Sequence, residues 1–158
     1  MPTRQSKVLG AEPRIGLSAR FRVTVDGLDL GGWSSCKGLA VNFDCEELET
    51  GGNYEHTFLL PKRLKYSNIT LSRAMTAEGT ATVHQWLRDI AGDWMHSYED
   101  DYTPNTATIT LLDSSGQTAV HCWTLKDVYP RAWKGPDLDA DSTKVAIETL
   151  ELAHHGFL

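Results

Sequence analysis

Apolar and polar residues alternate with a period of two along much of this chain, the pattern of half-buried strands. Phe21, Val23 and Val25 alternate with Arg20, Arg22 and Thr24, and Asp26-Gly27 follows as a turn signal. Leu39, Val41, Phe43 and Cys45 alternate with Ala40, Asn42, Asp44 and Glu46 as a second strand. Thr50-Gly51-Gly52-Asn53 then breaks the pattern. The next stretch carries Pro61, which cannot donate to a central ladder, so it reads as a long, partly extended excursion. Ile69 and Leu71 share one face of a further strand, opposite Tyr66, Asn68 and Thr70. Beyond Pro104, TATITLLD, the turn DSSG and QTAVHCWTLKDVYP predict an antiparallel hairpin. RAWKGPDLDADS predicts a loop, and KVAIETLELAHHGF a final strand.

One segment changes period. Val83, Trp86, Leu87, Ile90, Ala91, Trp94 and Met95 recur at helical spacing and form one apolar stripe about three turns long. Thr80 or Thr82 can serve as its N-cap. Gly92 costs about 1 kcal/mol relative to alanine in such a helix, so the helix depends on packing its stripe. Roughly seven strands and one helix predict a mainly β fold: an antiparallel β-barrel or sandwich with one flanking α-helix. Residues 1–17 mix proline, glycine and charge without periodicity and read as a flexible arm, leaving 18–158 as a single domain.

The final strand poses a problem. Val145 and Ile147 point to one face, and Leu150 and Leu152 to the other. Either both faces are covered, one by the core and one by a neighbouring chain, or a β-bulge near Glu148 turns all four inward. The alternation allows both.

At 158 residues the chain has the size of one domain. No apolar run approaches the roughly 20 residues of a membrane span, so direct membrane insertion is not expected. The first residues contain no continuous apolar segment, so synthesis in the cytoplasm without a signal peptide is expected. A net charge of −6, with acidic runs at Cys45–Glu49, Tyr98–Tyr102 and Gly135–Asp141, repels phosphate backbones and argues against specific nucleic-acid binding. The basic group PKRLK reads first as a solvated segment.

Candidate chemistry adds little. Cys36, Cys45 and Cys122 stand at unrelated spacings and lack a Cys-x-x-Cys pair. The six histidines form no helical zinc pattern, and His154-His155 would point to opposite faces of a strand, poor geometry for one metal. No nucleophile elbow, Walker loop or dinucleotide fingerprint is present. No catalytic residue, metal or cofactor is expected, and the chain does not read as an enzyme.

Several segments in order resemble the tail tube family of contractile phages and phage-like contractile injection systems. FRVTVDGLDLGGWSSCKGL resembles the family's opening hairpin, and ETGGN its paired glycines. LLPKRLKYSNITLSRAM is similar to its stretch before the helix, and HQWL falls where the helix carries its tryptophan. ITLLDSSG, DVYPRAWKGPDLDADS and AIETLELAHHG resemble its closing strands. Two positions depart from the pattern: Ala74 stands in place of a glycine after Ser72-Arg73, and Lys62 in place of a glycine after Pro61.

The resemblance implies a structural protomer of the inner tube, assembled into stacked hexameric rings around a lumen that carries DNA or effector protein. It implies partners in a sheath, in baseplate or spike proteins, and in a tape-measure protein or cargo inside the lumen. It places the chain in a phage tail or injection particle. Glu47 to Tyr66 becomes the loop that reaches the next ring. The expected subunit interface is Glu49, Asn53, Tyr54, Phe58, Leu60, Lys62, Tyr66, Val145 and Ile147. A tube initiator at the baseplate and a ring-forming effector carrier of a secretion system are the alternatives.

Overall fold

A computed structural model describes residues 21–49, 51–52, 54–96 and 103–158. The arm expected over 1–17, Asn53 and the acidic run Tyr98–Tyr102 lie outside the described residues. In chain order the elements are β1 (Phe21–Val25), β2 (Leu28–Gly32), β3 (Ser35–Lys37), β4 (Val41–Leu48), β5 (Phe58–Tyr66) and β6 (Ile69–Ala74). Helix α1 (Ala77–His96), β7 (Asn105–Leu112), β8 (Ala119–Lys134) and β9 (Ile147–Ala153) follow. The fold is mainly β with one helix and antiparallel pairing.

Asp26 and Gly27 make the first hairpin, with φ of 49° and 79°, the two positive values that a two-residue type I′ turn requires. Seven strands then form one sheet in the order β2-β1-β7-β8-β9-β6-β3. Its two edge strands, β2 and β3, are joined by Trp33 and Ser34 alone. Three Cα steps of about 3.8 Å bridge at most about 11 Å, so the sheet must curl until its edges meet. No backbone ladder joins β2 to β3 among the described residues. The seam is closed by a side chain instead. Arg73 on β6 donates from Nη1 to the Leu30 carbonyl at 2.6 Å and, more weakly, to Gly32 at 3.4 Å.

Arg73 faces Glu148 directly across the β6–β9 ladder. Its Nε donates to Glu148 Oε1 at 2.6 Å, and Glu148 is 0% exposed. Thr80 Oγ1 and Trp133 Nε1 also donate to this carboxylate, and the guanidinium stacks 4.0 Å from the Trp33 ring centre. The carboxylate is thus both paired and hydrogen-bonded, the two conditions for burying a charge. The core around it includes Val23, Leu30, Ile69, Leu71, Leu125 and Leu150.

Helix α1 begins three residues before the first expected cap. Thr76 caps it, its Oγ1 accepting from Gly79 N at 3.1 Å. Thr80 is drawn to Glu148, and Thr82 donates back to the Glu78 carbonyl. Val83, Trp86 and Ile90 are buried and Leu87 packs partly against them. The stripe's C-terminal end, Trp94 and Met95, is exposed.

Strand β8 is longer than expected and takes in Arg131 to Lys134, assigned to a loop from the sequence. Its first half pairs with β7 and its second with β9. Asp127, at φ 52°, and a register shift between Pro130 and Ala132 bend it at the change of partner.

Candidate assembly surface

Strands β4 and β5 form a two-stranded ribbon of their own, outside the curled sheet. An isolated two-stranded hairpin is marginal in water. Pro61 is tolerated here because, among the described residues, β5 has no second neighbour that needs its missing N–H. Residues paired across a ladder share a face, so Val41 with Tyr66 and Phe43 with Leu64 mark one side. Beyond Phe43 the register shifts: Cys45 meets Pro61 and Glu47 meets Leu59. The extra residue on β5 keeps Leu64, Pro61 and Leu59 on the face of Phe43, where strict alternation would have moved two of them. On the other face Lys65 reaches Asp44 at 2.6 Å and Lys62 reaches Glu46 at 3.3 Å. The Phe43 face gathers Leu59, Pro61 and Leu64 beside Glu47, the other face carries the two ion pairs together with Leu48, Phe58 and Leu60, and Phe43 is 66% exposed.

The ribbon's root is tied down. Tyr66 packs edge-on against Phe157 and His154, with ring centres 5.1 and 5.5 Å apart. His154 Nδ1 accepts from Gly156 N at 3.1 Å, which leaves Nε2 to donate to the Ser67 carbonyl at 2.9 Å. Burial holds the His154 pKa below the usual histidine value. His155 points the other way, to Asp127 Oδ2 at 3.0 Å.

A second exposed apolar patch sits on the loop before β9. Strand β9 pairs with β6 without interruption from Ile147 to Leu152, so there is no bulge at Glu148. Glu148, Leu150 and Leu152 point inward. Val145, at 69% exposure, and Ile147, at 44%, point outward. Together with Pro136, Leu138 and Ala146 they line a shallow groove.

The expected interface residues therefore fall in separate places. Phe58, Leu60 and Lys62 lie on β5, Glu49 and Tyr54 in the connection between the ribbon strands, and Val145 and Ile147 in the groove. Tyr66 anchors the ribbon from below and is only partly exposed. Phe43, Leu59 and Leu64, which the register shift gathers, and Leu138, the most exposed apolar residue of the groove at 88%, are exposed apolar residues outside that expected set. An apolar leucine inside the acidic run PDLDAD was the available signal for the last.

Among the described residues no group of three or more histidine, cysteine or acidic side chains converges to hold a metal. Among them, too, no helix is long and apolar enough to cross a membrane.

The profile of the T4-like virus tail tube protein gp19 family matches residues 17–158. A chain from the sheath–tube complex of PVC, an extracellular contractile injection system, in its extended state has 23% identity and a TM-score of 0.65. That alignment covers 87% of this chain and 86% of the other. A chain from the anti-feeding prophage (AFP) baseplate has 24% identity and a TM-score of 0.68, covering 89% of this chain and 92% of its own. A chain from the extended PVC sheath/tube terminator has 21% identity and a TM-score of 0.71, covering 92% and 96%. These likenesses carry the fold. Among curated proteins no sequence matches.

Proposed function

Since this chain belongs to the T4-like virus tail tube protein gp19 family, we propose that it is a structural protomer whose copies form stacked hexameric rings around a lumen. The observation that carries this reading is the β4–β5 ribbon. Phe43, Leu59, Pro61 and Leu64 gather on one face, beside Glu47, as exposed apolar area that the protomer's own core leaves uncovered. Exposed patches of this kind mark association. A ribbon that is marginal alone gains stability when a second copy covers it. The structural neighbours come from a sheath–tube complex and a baseplate, which favours a sheath around this tube and a baseplate beneath it. In this role the protein has no turnover, and its work is to hold a rigid conduit for cargo inside a phage tail or injection particle.

Electron microscopy of the purified protein tests the reading. Rings or tubes are expected from the wild-type chain, and monomers from Phe43→Lys/Leu64→Lys, two exposed changes that leave the core intact. A wild-type protein that stays monomeric at high concentration and never enters a tube refutes it.

A further inference from the structure

A cleft of about 490 Å³ opens beside the seam of the sheet, between the edge strand β2 and the first turn of α1. That volume falls within the roughly 300–1,000 Å³ of small-molecule sites. Its ionisable lining is Asp29, Arg73 and Glu78, and Ser34, Thr76 and Thr82 add hydroxyls.

A guanidinium has three nitrogens that donate, and Arg73 engages two of them. Nε goes to Glu148, and Nη1 to the Leu30 and Gly32 carbonyls. Nη2 has no hydrogen-bond partner among the described residues, although Arg73 is only 6% exposed. A buried donor without an acceptor is strongly unfavourable. The direction of Nη2 is fixed. A Cβ on Gly79 would lie 3.1 Å from Nη2 and 2.8 Å from Thr76 Oγ1, so Nη2 lies against the first turn of the helix. Gly79 N and Thr80 N are already bonded to Thr76, whereas the N–H of Glu78 has no carbonyl to bind within the helix. The positive end of the helix dipole reinforces the same place. This end of the cleft is suited to an acceptor, best a carboxylate oxygen.

The net charge of the cleft points the other way. Glu148 neutralises Arg73, which leaves Asp29 and Glu78. Neither has an ion-pair partner among the described residues. Asp29 Oδ1 accepts from Gly31 N at 2.8 Å, which holds that carboxylate at the edge of the cleft. A dianion such as phosphate would meet both carboxylates. A bare cation would leave Nη2 without an acceptor.

We propose that this cleft binds a small zwitterion, a free α-amino acid. Its carboxylate sits on Arg73 Nη2 and the N-terminus of α1, and its ammonium group faces Asp29 and Glu78. One such molecule satisfies the orphaned donor and the unpaired anions together. It also bridges β2, β6 and α1 across a seam that no backbone ladder closes among the described residues, so the loaded protein is harder to unfold. The site stands on the protomer alone and does not depend on the assembly reading.

Glycine, the part common to all α-amino acids, is the probe. Titrated into the purified chain, it should raise the melting temperature saturably, and equilibrium dialysis should find one labelled glycine per chain. Acetate, methylammonium and inorganic phosphate should each bind at least about tenfold more weakly, because each satisfies only one half of the cleft. Asp29→Asn/Glu78→Gln keeps the side-chain shapes and an acceptor for Gly31 N, and it should weaken glycine binding at least about tenfold. Melting of the ligand-free variant confirms that it is folded. A wild-type chain that binds no glycine overturns the proposal. So does acetate or phosphate binding as tightly as glycine, or a folded double variant that holds glycine undiminished.

Discussion

Replacing Arg73 with methionine leaves the Glu148 carboxylate at 0% exposure without its cation. Thr80 and Trp133 still donate to it, at 3.2 and 3.1 Å, but neither carries charge. Breaking a buried pair from one side costs about 3–5 kcal/mol. The Leu30 carbonyl at the seam also loses its donor, which adds about 1 kcal/mol. The expected loss of about 4–6 kcal/mol is a large part of the about 5–15 kcal/mol that holds a domain together. With a urea slope of about 2 kcal/mol/M, the unfolding midpoint should fall by about 2–3 M, followed by tryptophan fluorescence. Arg73→Met/Glu148→Leu removes both charges together. Its remaining cost is the three neutral hydrogen-bond partners left behind, at Leu30, Thr80 and Trp133, or about 2–3 kcal/mol. The double variant should therefore be more stable than Arg73→Met alone. A double variant at least as unstable as that single change, or a single change that moves the midpoint by less than about 0.5 M, refutes the assignment of the seam to this pair.

Gly38→Ala should destabilise the fold by at least about 3 kcal/mol, read from the melting temperature, because φ is +99° and the new Cβ would sit 1.9 Å from the Asn68 carbonyl oxygen. Acid should loosen the root of the ribbon. The folded chain holds His154 below the ordinary histidine pKa of 6.5, so between that value and the folded one the unfolded chain binds more protons, and the His154 contribution is lost as pH falls. Protonating Nδ1 also removes the acceptor for Gly156 N, so His154→Gln should flatten the dependence of stability on pH below 6.5, measured by denaturation at each pH. An unchanged slope in that variant would assign the effect elsewhere. The thiols should divide by environment: burial pushes Cys36 up to about 11, so maleimide at pH 7.5 should label Cys45 and Cys122 and spare it. Assembly should then protect Cys45, which lies on the Phe43 face of the ribbon, and equal labelling of Cys45 in monomer and tube would contradict that placement.

The strands were legible where alternation reports one dry face, as at Phe21–Val25 and Ile69–Ala74. It misled at β4, whose apolar residues face away from the protomer's own core. Period alone does not say which molecule supplies the dry side. The helix stripe ran on to Met95 because residue type shows which positions can be buried, while the extent of the sheet beneath decides which are. The Arg73–Glu148 pair was missed although Glu148 shares parity with Leu150 and Leu152, and a charge on an inward position is the mark of a buried partner. The register shift in the ribbon had no local signal, since nothing between Pro61 and Leu64 announces an unpaired residue. The expected interface residues Phe58 and Leu60 stand on the opposite face of β5 from Leu59 and Leu64. The outward placement of Val145 and Ile147 was legible from alternation, although Val145 lies just before β9, and the uninterrupted β6–β9 ladder removes the bulge that competed with that reading.

The bend of β8 at Asp127 has a mechanical consequence. One strand of sixteen residues runs through both halves of the curled sheet, so neither half can tilt without carrying the other. The protomer has no internal hinge along that line. In the stacked assembly proposed above, an end-on push would be taken up at the joints between molecules before it bent this strand.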